Sequence, residues 1–141
     1  MSSQLPILLF LVPFVTAVAM PILCAKRRSW CQPLTTGAVS IMVVLSIINL
    51  RVVLSEGPIE YAFGGWTAPL GIAWLDDPLA AIIALTMSAV ALLSLIYGRL
   101  VVPSNLERSV PYYTLVLLFI SALIGVVFAA DLFNVFVFLE V

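Results

Sequence analysis

Four stretches of this sequence are long, apolar and free of charge, and they decide what the chain can become. Residues 1–25 carry no charged side chain, nor do 34–50, 78–98 and 110–130. About 20 consecutive apolar residues suffice for a helix to cross hydrocarbon ~30 Å thick. Ordinary soluble domains carry roughly a quarter charged residues, whereas here the share is 9%, against 64% hydrophobic. Such a chain lacks the polar surface to dissolve. The reading is an all-α integral membrane protein, folded as a single membrane domain over residues 1–141, in the cell membrane.

The first apolar stretch does not have the order of a secretory signal, in which positive charge precedes the apolar run. Here an uncharged Met-Ser-Ser-Gln precedes it, and Lys26, Arg27 and Arg28 follow. A retained helix is expected. Short loops rich in Lys and Arg stay on the cytoplasmic side, so the loop KRRSW (residues 26–30) is placed inside and the N-terminus outside. Span one, about 5–25, then runs inward with Pro6, Pro13 and Pro21 as kinks that neighbouring helices must compensate. Span two, about 34–54, returns outward and carries Asn49 and Arg51 near its outer end. Arg51 is read first as a snorkelling side chain, with pairing to an acid as the alternative.

The outer loop that follows, about 56–77, flanks a Gly- and Pro-rich centre, GGWTAPLG, with two β-prone runs, IEYAF and GIAWL. This is the pattern of a β-hairpin. Its Tyr61, Trp66 and Trp74 suit the aromatic belt of a membrane interface. Asp76 and Asp77 stand just before Pro78 and read as residues opening a helix. Span three, about 78–98, runs inward to the loop RLVVPSNLERSV, where Arg99 and Arg108 outweigh Glu107. Span four, about 110–130, starts at Tyr112 and Tyr113 and runs outward again.

Asp131 therefore lies at the outer surface, and Asp131-Leu132-Phe133-Asn134 reads as a helix start with Asp as N-cap. A fifth helix over 131–141 would be incomplete, a first half only. Nine residues at ~1.5 Å each carry it ~13.5 Å inward, which sets Glu140 near the middle of the hydrocarbon. Ionisable groups at that depth mark ion pathways by default. Desolvation raises a carboxyl pKa and a nearby cation lowers it, so such a group can load and release a proton. The alternative is one long tilted helix over 110–139, with Glu140 as a solvated end; it would bury Asp131 and Asn134 on the way. The candidate residue for ion translocation is thus Glu140, with Asp131, Asn134 and Arg51 as accessory polar groups.

Other chemistries find little here. The chain has no histidine and two cysteines, Cys24 and Cys31, too few ligands for a zinc or iron–sulfur site. They read as buried or reduced thiols. No catalytic triad, phosphate loop or metal spacing occurs, so neither enzyme activity, cofactor nor metal is expected. The basic patch with interleaved aromatics that binds nucleic acid is also absent.

The outer segment YAFGGWTAPLGIAWLDDPLAA, followed two helices later by DLFNVFVFLEV, resembles the N-terminal part of an antiporter-like membrane subunit. The resemblance is to the D-type component of the Mrp-type multisubunit Na⁺/H⁺ antiporters, with relatives in membrane-bound hydrogenases and in respiratory complex I. It covers essentially the whole chain. It implies an outer N-terminus, a β-hairpin between helices two and three, and movement of H⁺ and/or Na⁺ across the membrane. Glu140 matches the fifth-helix glutamate that this family needs for ion translocation. The resemblance also implies other membrane subunits as partners, whether in an antiporter or in a redox-driven complex.

The chain departs from that pattern too. Family members run to about fourteen helices, with the inverted repeats common in transporters, and pair the glutamate with a lysine on helix seven. The lysine of this chain, Lys26, is not that partner. A helix stopping one residue past Glu140 would leave unsatisfied carbonyls in hydrocarbon, so a second polypeptide or a missing remainder is expected to complete it. Two alternatives stay open: a non-conducting structural subunit of such a complex, and a small exporter of about four helices acting as an oligomer.

Overall fold

The computed structural model describes residues 4–25, 27–62, 72–101 and 109–140. Lys26, the hairpin centre with Trp66, Glu107, Arg108 and Val141 lie outside them. Helix α1 covers Leu5–Leu23, and a single 3₁₀ turn over Arg28–Trp30 leads into α2, Cys31–Glu56. Strands β1 (Ile59–Ala62) and β2 (Ala73–Asp76) follow, then α3 (Pro78–Val101), α4 (Ser109–Phe128) and α5 (Leu132–Glu140). The first four helices are each long and apolar enough to cross a membrane.

Local chemistry sets the ends of these elements. Helix α2 begins three residues before its apolar run because Pro33 falls in its first turn, where a missing N–H costs nothing. It stops at Gly57, whose φ of +95° suits a residue without Cβ; the Gly57 N–H still donates to the Val53 carbonyl at 3.1 Å. Helix α3 opens on Asp77, whose Oδ1 accepts from the Ala80 N–H at 2.7 Å. In α1, Pro13 and Pro21 lie inside the helix and take away the donors for the carbonyls four residues earlier.

Helix α1 packs most broadly on α4 and then on α2, while α2 packs on α3. Their shared core joins Leu9, Met20, Val39, Met42, Leu117, Ile124 and Phe128, all fully buried. Hydroxyls inside the bundle turn back onto their own helices, as when Thr35 Oγ1 donates to the Cys31 carbonyl at 2.8 Å and Ser46 Oγ to Met42 at 2.9 Å. Among the described residues one hydroxyl pair crosses between helices: Ser88 Oγ donates to Ser46 Oγ at 3.2 Å. The outer faces are apolar instead, with Leu115 and Phe119 about two-thirds exposed at 65% and 64%. A multi-pass membrane protein has this inside-out distribution, since lipid or neighbouring helices cover such faces.

The hairpin pairs its strands antiparallel, Ile59 opposite Asp76 and Tyr61 opposite Trp74. It does not hang free. Trp74 forms an isolated bridge with Ala129, and the Ala130 N–H donates to the Ala73 carbonyl at 3.1 Å. This docking explains why α4 ends at Phe128, two residues short of its apolar run: the next backbone groups pair with β2. Trp74 is 3% exposed, so its ring is turned into the bundle. Its ring lies 5.6 Å from Phe10, 5.9 Å from Phe138 and 6.0 Å from Phe128, which gathers α1, α4, α5 and the hairpin at one end of the bundle.

Helix α5 reaches that cluster over Gly125 of α4. A Cβ at Gly125 would stand 2.5 Å from Phe138 Cδ1, closer than any real contact. Gly125→Val therefore pushes Phe138 off α4, at a cost of about 1–3 kcal/mol for overpacking. Hydrogen exchange of the 132–140 amides should accelerate in this variant while α1–α3 stay protected. Unchanged protection of α5 would show that this contact does not seat the helix.

Candidate functional site

The chain turns from α4 into α5 within three residues, and Asp131 organises the turn. Its Oδ1 accepts from the Asn134 N–H at 2.7 Å, and its carbonyl accepts from the Val135 N–H at 3.1 Å. This is an N-cap of the kind its sequence suggests, satisfying one of the orphan donors of a helix start. The break after α4 also rules out a single helix running from 110 to 139.

Asn134, 3% exposed, is the buried residue of α5. With Ile7, Phe10, Leu11, Ile72 and Trp74 it lines a cleft of about 250 Å³ between α1, the hairpin and α5. Its Nδ2 meets no acceptor among the described residues. Asp131 and Asn134 are thus brought together. Glu140 and Arg51 are not part of that grouping.

Glu140 ends α5 as an exposed residue. Three and four residues before it stand Val137 and Phe136, and seven before it Phe133; all three are exposed, at 40%, 57% and 70%. Residues so spaced share a helix face. The opposite face carries Asn134 and Phe138 and docks on the bundle. Among the described residues no side chain hydrogen-bonds or ion-pairs with Glu140. Arg51 is exposed as well, with no acid beside it among the described residues. Cys24 and Cys31 are buried and free. Among the described residues, no three His, Cys, Asp or Glu side chains gather closely enough to hold a metal ion.

The structure adds a carboxylate that the sequence assigns elsewhere. Asp77 opens α3, but Asp76 does not: it ends β2 with its side chain turned inward and 0% exposed. Asn49, also 0% exposed, donates from Nδ2 to Asp76 Oδ2 at 2.6 Å. Burial pushes the Asp76 carboxyl up to about 6, the Asn49 hydrogen bond pulls it back and the charge of Asp77 adds to the rise. The signal was present in alternation. Trp74 and Asp76 are two apart on a strand and share its buried face.

No family model matches the chain, but several proteins do. It is 34% identical over 143 residues to the antiporter subunit mnhD2 of Staphylococcus haemolyticus, covering 100% of this chain and 28% of that protein. It is 33% identical over 134 residues to the D-type component of the Na⁺/H⁺ antiporter of Bacillus subtilis, covering 95% of this chain and 27% of that protein. Among solved structures, the membrane-bound sulfane sulfur reductase, an archaeal respiratory membrane complex, contains a chain that superposes with a TM-score of 0.87 at 27% identity. That match covers 97% of this chain and 28% of the other. The Mrp complex from Dietzia sp. DQ12-45-1b matches with a TM-score of 0.83 at 19% identity, over 99% of this chain and 25% of its own; this second likeness is one of fold. The chain spans a little over a quarter of the curated relatives it matches.

Asp131→Ala should remove the cap of α5 and lower stability by about 1 kcal/mol, whereas Asp131→Asn, an equally good cap, should keep most of it. Denaturant midpoints in detergent give the comparison. Equal losses in the two variants would mean that the Asp131 carboxylate matters through its charge and not through the cap.

Proposed function

We propose that this homologue of the D-type antiporter proteins is the N-terminal portion of an ion-translocating subunit, moving H⁺ and/or Na⁺ across the cell membrane within a multisubunit complex. Homology along the whole chain to proteins named for antiport carries the reading. The chain forms one membrane domain with its N-terminus outside. Short basic loops stay in the cytoplasm, and the basic turn between α1 and α2 lies at the end of the bundle opposite the hairpin. The start of α1 and the hairpin share the other end, which supports an extracytoplasmic hairpin.

Glu140 is the translocating group in this reading. It is carried inward on a helix that starts at the outer end, on a face pointing away from α1–α4. Its partners are side chains of elements beyond these residues, among them a membrane lysine of the kind the family resemblance implies. Asp131 and Asn134 hold the helix in register and position Glu140 without touching the ion. In a redox-driven assembly, the electron chemistry would belong to other subunits and this chain to the ion-moving side.

In vesicles carrying the complete assembly, Glu140→Gln should abolish Na⁺/H⁺ exchange, read as dye-reported dissipation of a pH gradient on adding Na⁺. The amide keeps the shape and removes the charge, so the subunits recovered with the chain should be unchanged. Normal exchange in this variant sinks the proposal.

A further inference from the structure

Asp76 is the fully buried carboxylate among the described residues, and its hydrogen bonding is incomplete in a telling way. Its Oδ2 accepts from Asn49 Nδ2 at 2.6 Å. Its Oδ1 is buried with no donor among the described residues, and so is Asn49 Oδ1. Buried acceptors normally find a partner. Here two acceptors on a pair of planar groups, already joined by one hydrogen bond, both lack the same thing. One added hydrogen supplies it. A carboxylic acid and a primary amide each offer one donor and one acceptor, and in a coplanar pair the second oxygens come together as the first bond closes.

We propose that Asp76 and Asn49 form a proton-binding site, in which the ligand is a proton carried on Asp76 Oδ1 and donated to Asn49 Oδ1, completing a carboxylic acid–amide pair that fastens the hairpin to α2. A single proton offers both stranded acceptors a partner at once. The site is separate from Glu140, on other elements, and its proton can be read whether or not the chain translocates ions.

The surroundings favour the neutral acid. On β1 the residue opposite Asp76 is Ile59, buried and apolar, while Glu60 is exposed. On α2, Val53 is buried, and Arg51 and Glu56 are exposed. Helices α3 and α4 both pack on β2 and bury apolar residues near that end, Ala80 and Ala81 on α3 and Phe128 on α4. At the start of α5, Asp131 is engaged in capping. The charge that acts on Asp76 is that of its neighbour Asp77, a second negative charge that opposes ionisation. Burial works in the same direction, to about 6 from an ordinary 3.8. Because the folded value lies above the ordinary one, this stabilisation is fully present below about pH 4 and is lost as pH rises through about 6. The hairpin is therefore held more firmly on its acidic side.

Infrared difference spectra against pH, taken on the chain in its native membrane assembly, test this directly. The expected result is a protonated-carboxyl band that titrates away with a midpoint near pH 6. Asp76→Asn should abolish that band without loss of fold, since the new amide can still donate to Asn49 Oδ1. Asn49→Ala should keep the band but move it to higher wavenumber, because the protonated carboxyl loses both of its hydrogen bonds to the amide. A band that survives Asp76→Asn, or a midpoint near ordinary carboxylates, overturns the proposal. So does a midpoint that falls as NaCl replaces choline chloride at constant ionic strength, which would make the ligand a metal cation. Should Asp76→Asn fail to assemble, Asn49→Ala decides alone: a band whose wavenumber does not move excludes the pair.

Discussion

A backbone that crosses hydrocarbon must satisfy its polar groups within itself, and at the corner between α4 and α5 two helix ends have to be satisfied together. A helix that stops leaves four carbonyls without partners, and one that starts leaves four N–H groups. Both ends meet here within three residues. The protein answers with two devices from different parts of the chain. Strand β2 lends its backbone to Ala129 and Ala130, and Asp131 lends its carboxylate to Asn134. The hairpin is thus a structural member of the membrane bundle, and its sequence has to serve the corner as well as its own pairing.

That dual duty explains the aromatic composition around it. Trp74 touches rings from three helices, and Phe138 reaches it only because Gly125 leaves room on α4. A large, rigid ring loses little conformational entropy for the area it buries. Placing one at the junction of four elements fixes their relative positions with few residues. The direction of α5 relative to the bundle follows from this cluster, and the facing of Glu140 follows from that direction.

Much of this was legible in the sequence, because the rules that govern membrane helices are coarse. Uncharged runs gave the four spans, Asp76 and Asp77 read as opening the third, and Asp131 read as a cap. The interior of the hairpin end was less legible. Asp76 and Asp77 look equivalent before a proline, yet a strand sends adjacent side chains to opposite faces. Asp76 follows Trp74 inward, and Asp77 is left to cap α3. Asn49 and Arg51 likewise sit two apart on a helix, about 200° around its axis. Asn49 shares its face with the buried Met42, Ser46 and Val53, and Arg51 points outward. Helical spacing alone could have separated these two. The docking of the hairpin on α4 could not be read, because main-chain pairing leaves no trace in residue type.

The two carboxylates at issue are treated in opposite ways by the same bundle. Asp76 is closed off from solvent and given one amide partner within these residues. Glu140 stands in line with Phe133, Phe136 and Val137, on the face of α5 that the bundle leaves uncovered. An acid at the end of an apolar stripe cannot be served by groups behind it. Docking through Asn134 and Phe138 turns Glu140 away from the described polar side chains of α1–α4, so those helices act as a scaffold that aims it. Any group that pairs with Glu140 has to approach from the uncovered side, where Phe133, Phe136 and Val137 form the apolar surface beside the carboxylate.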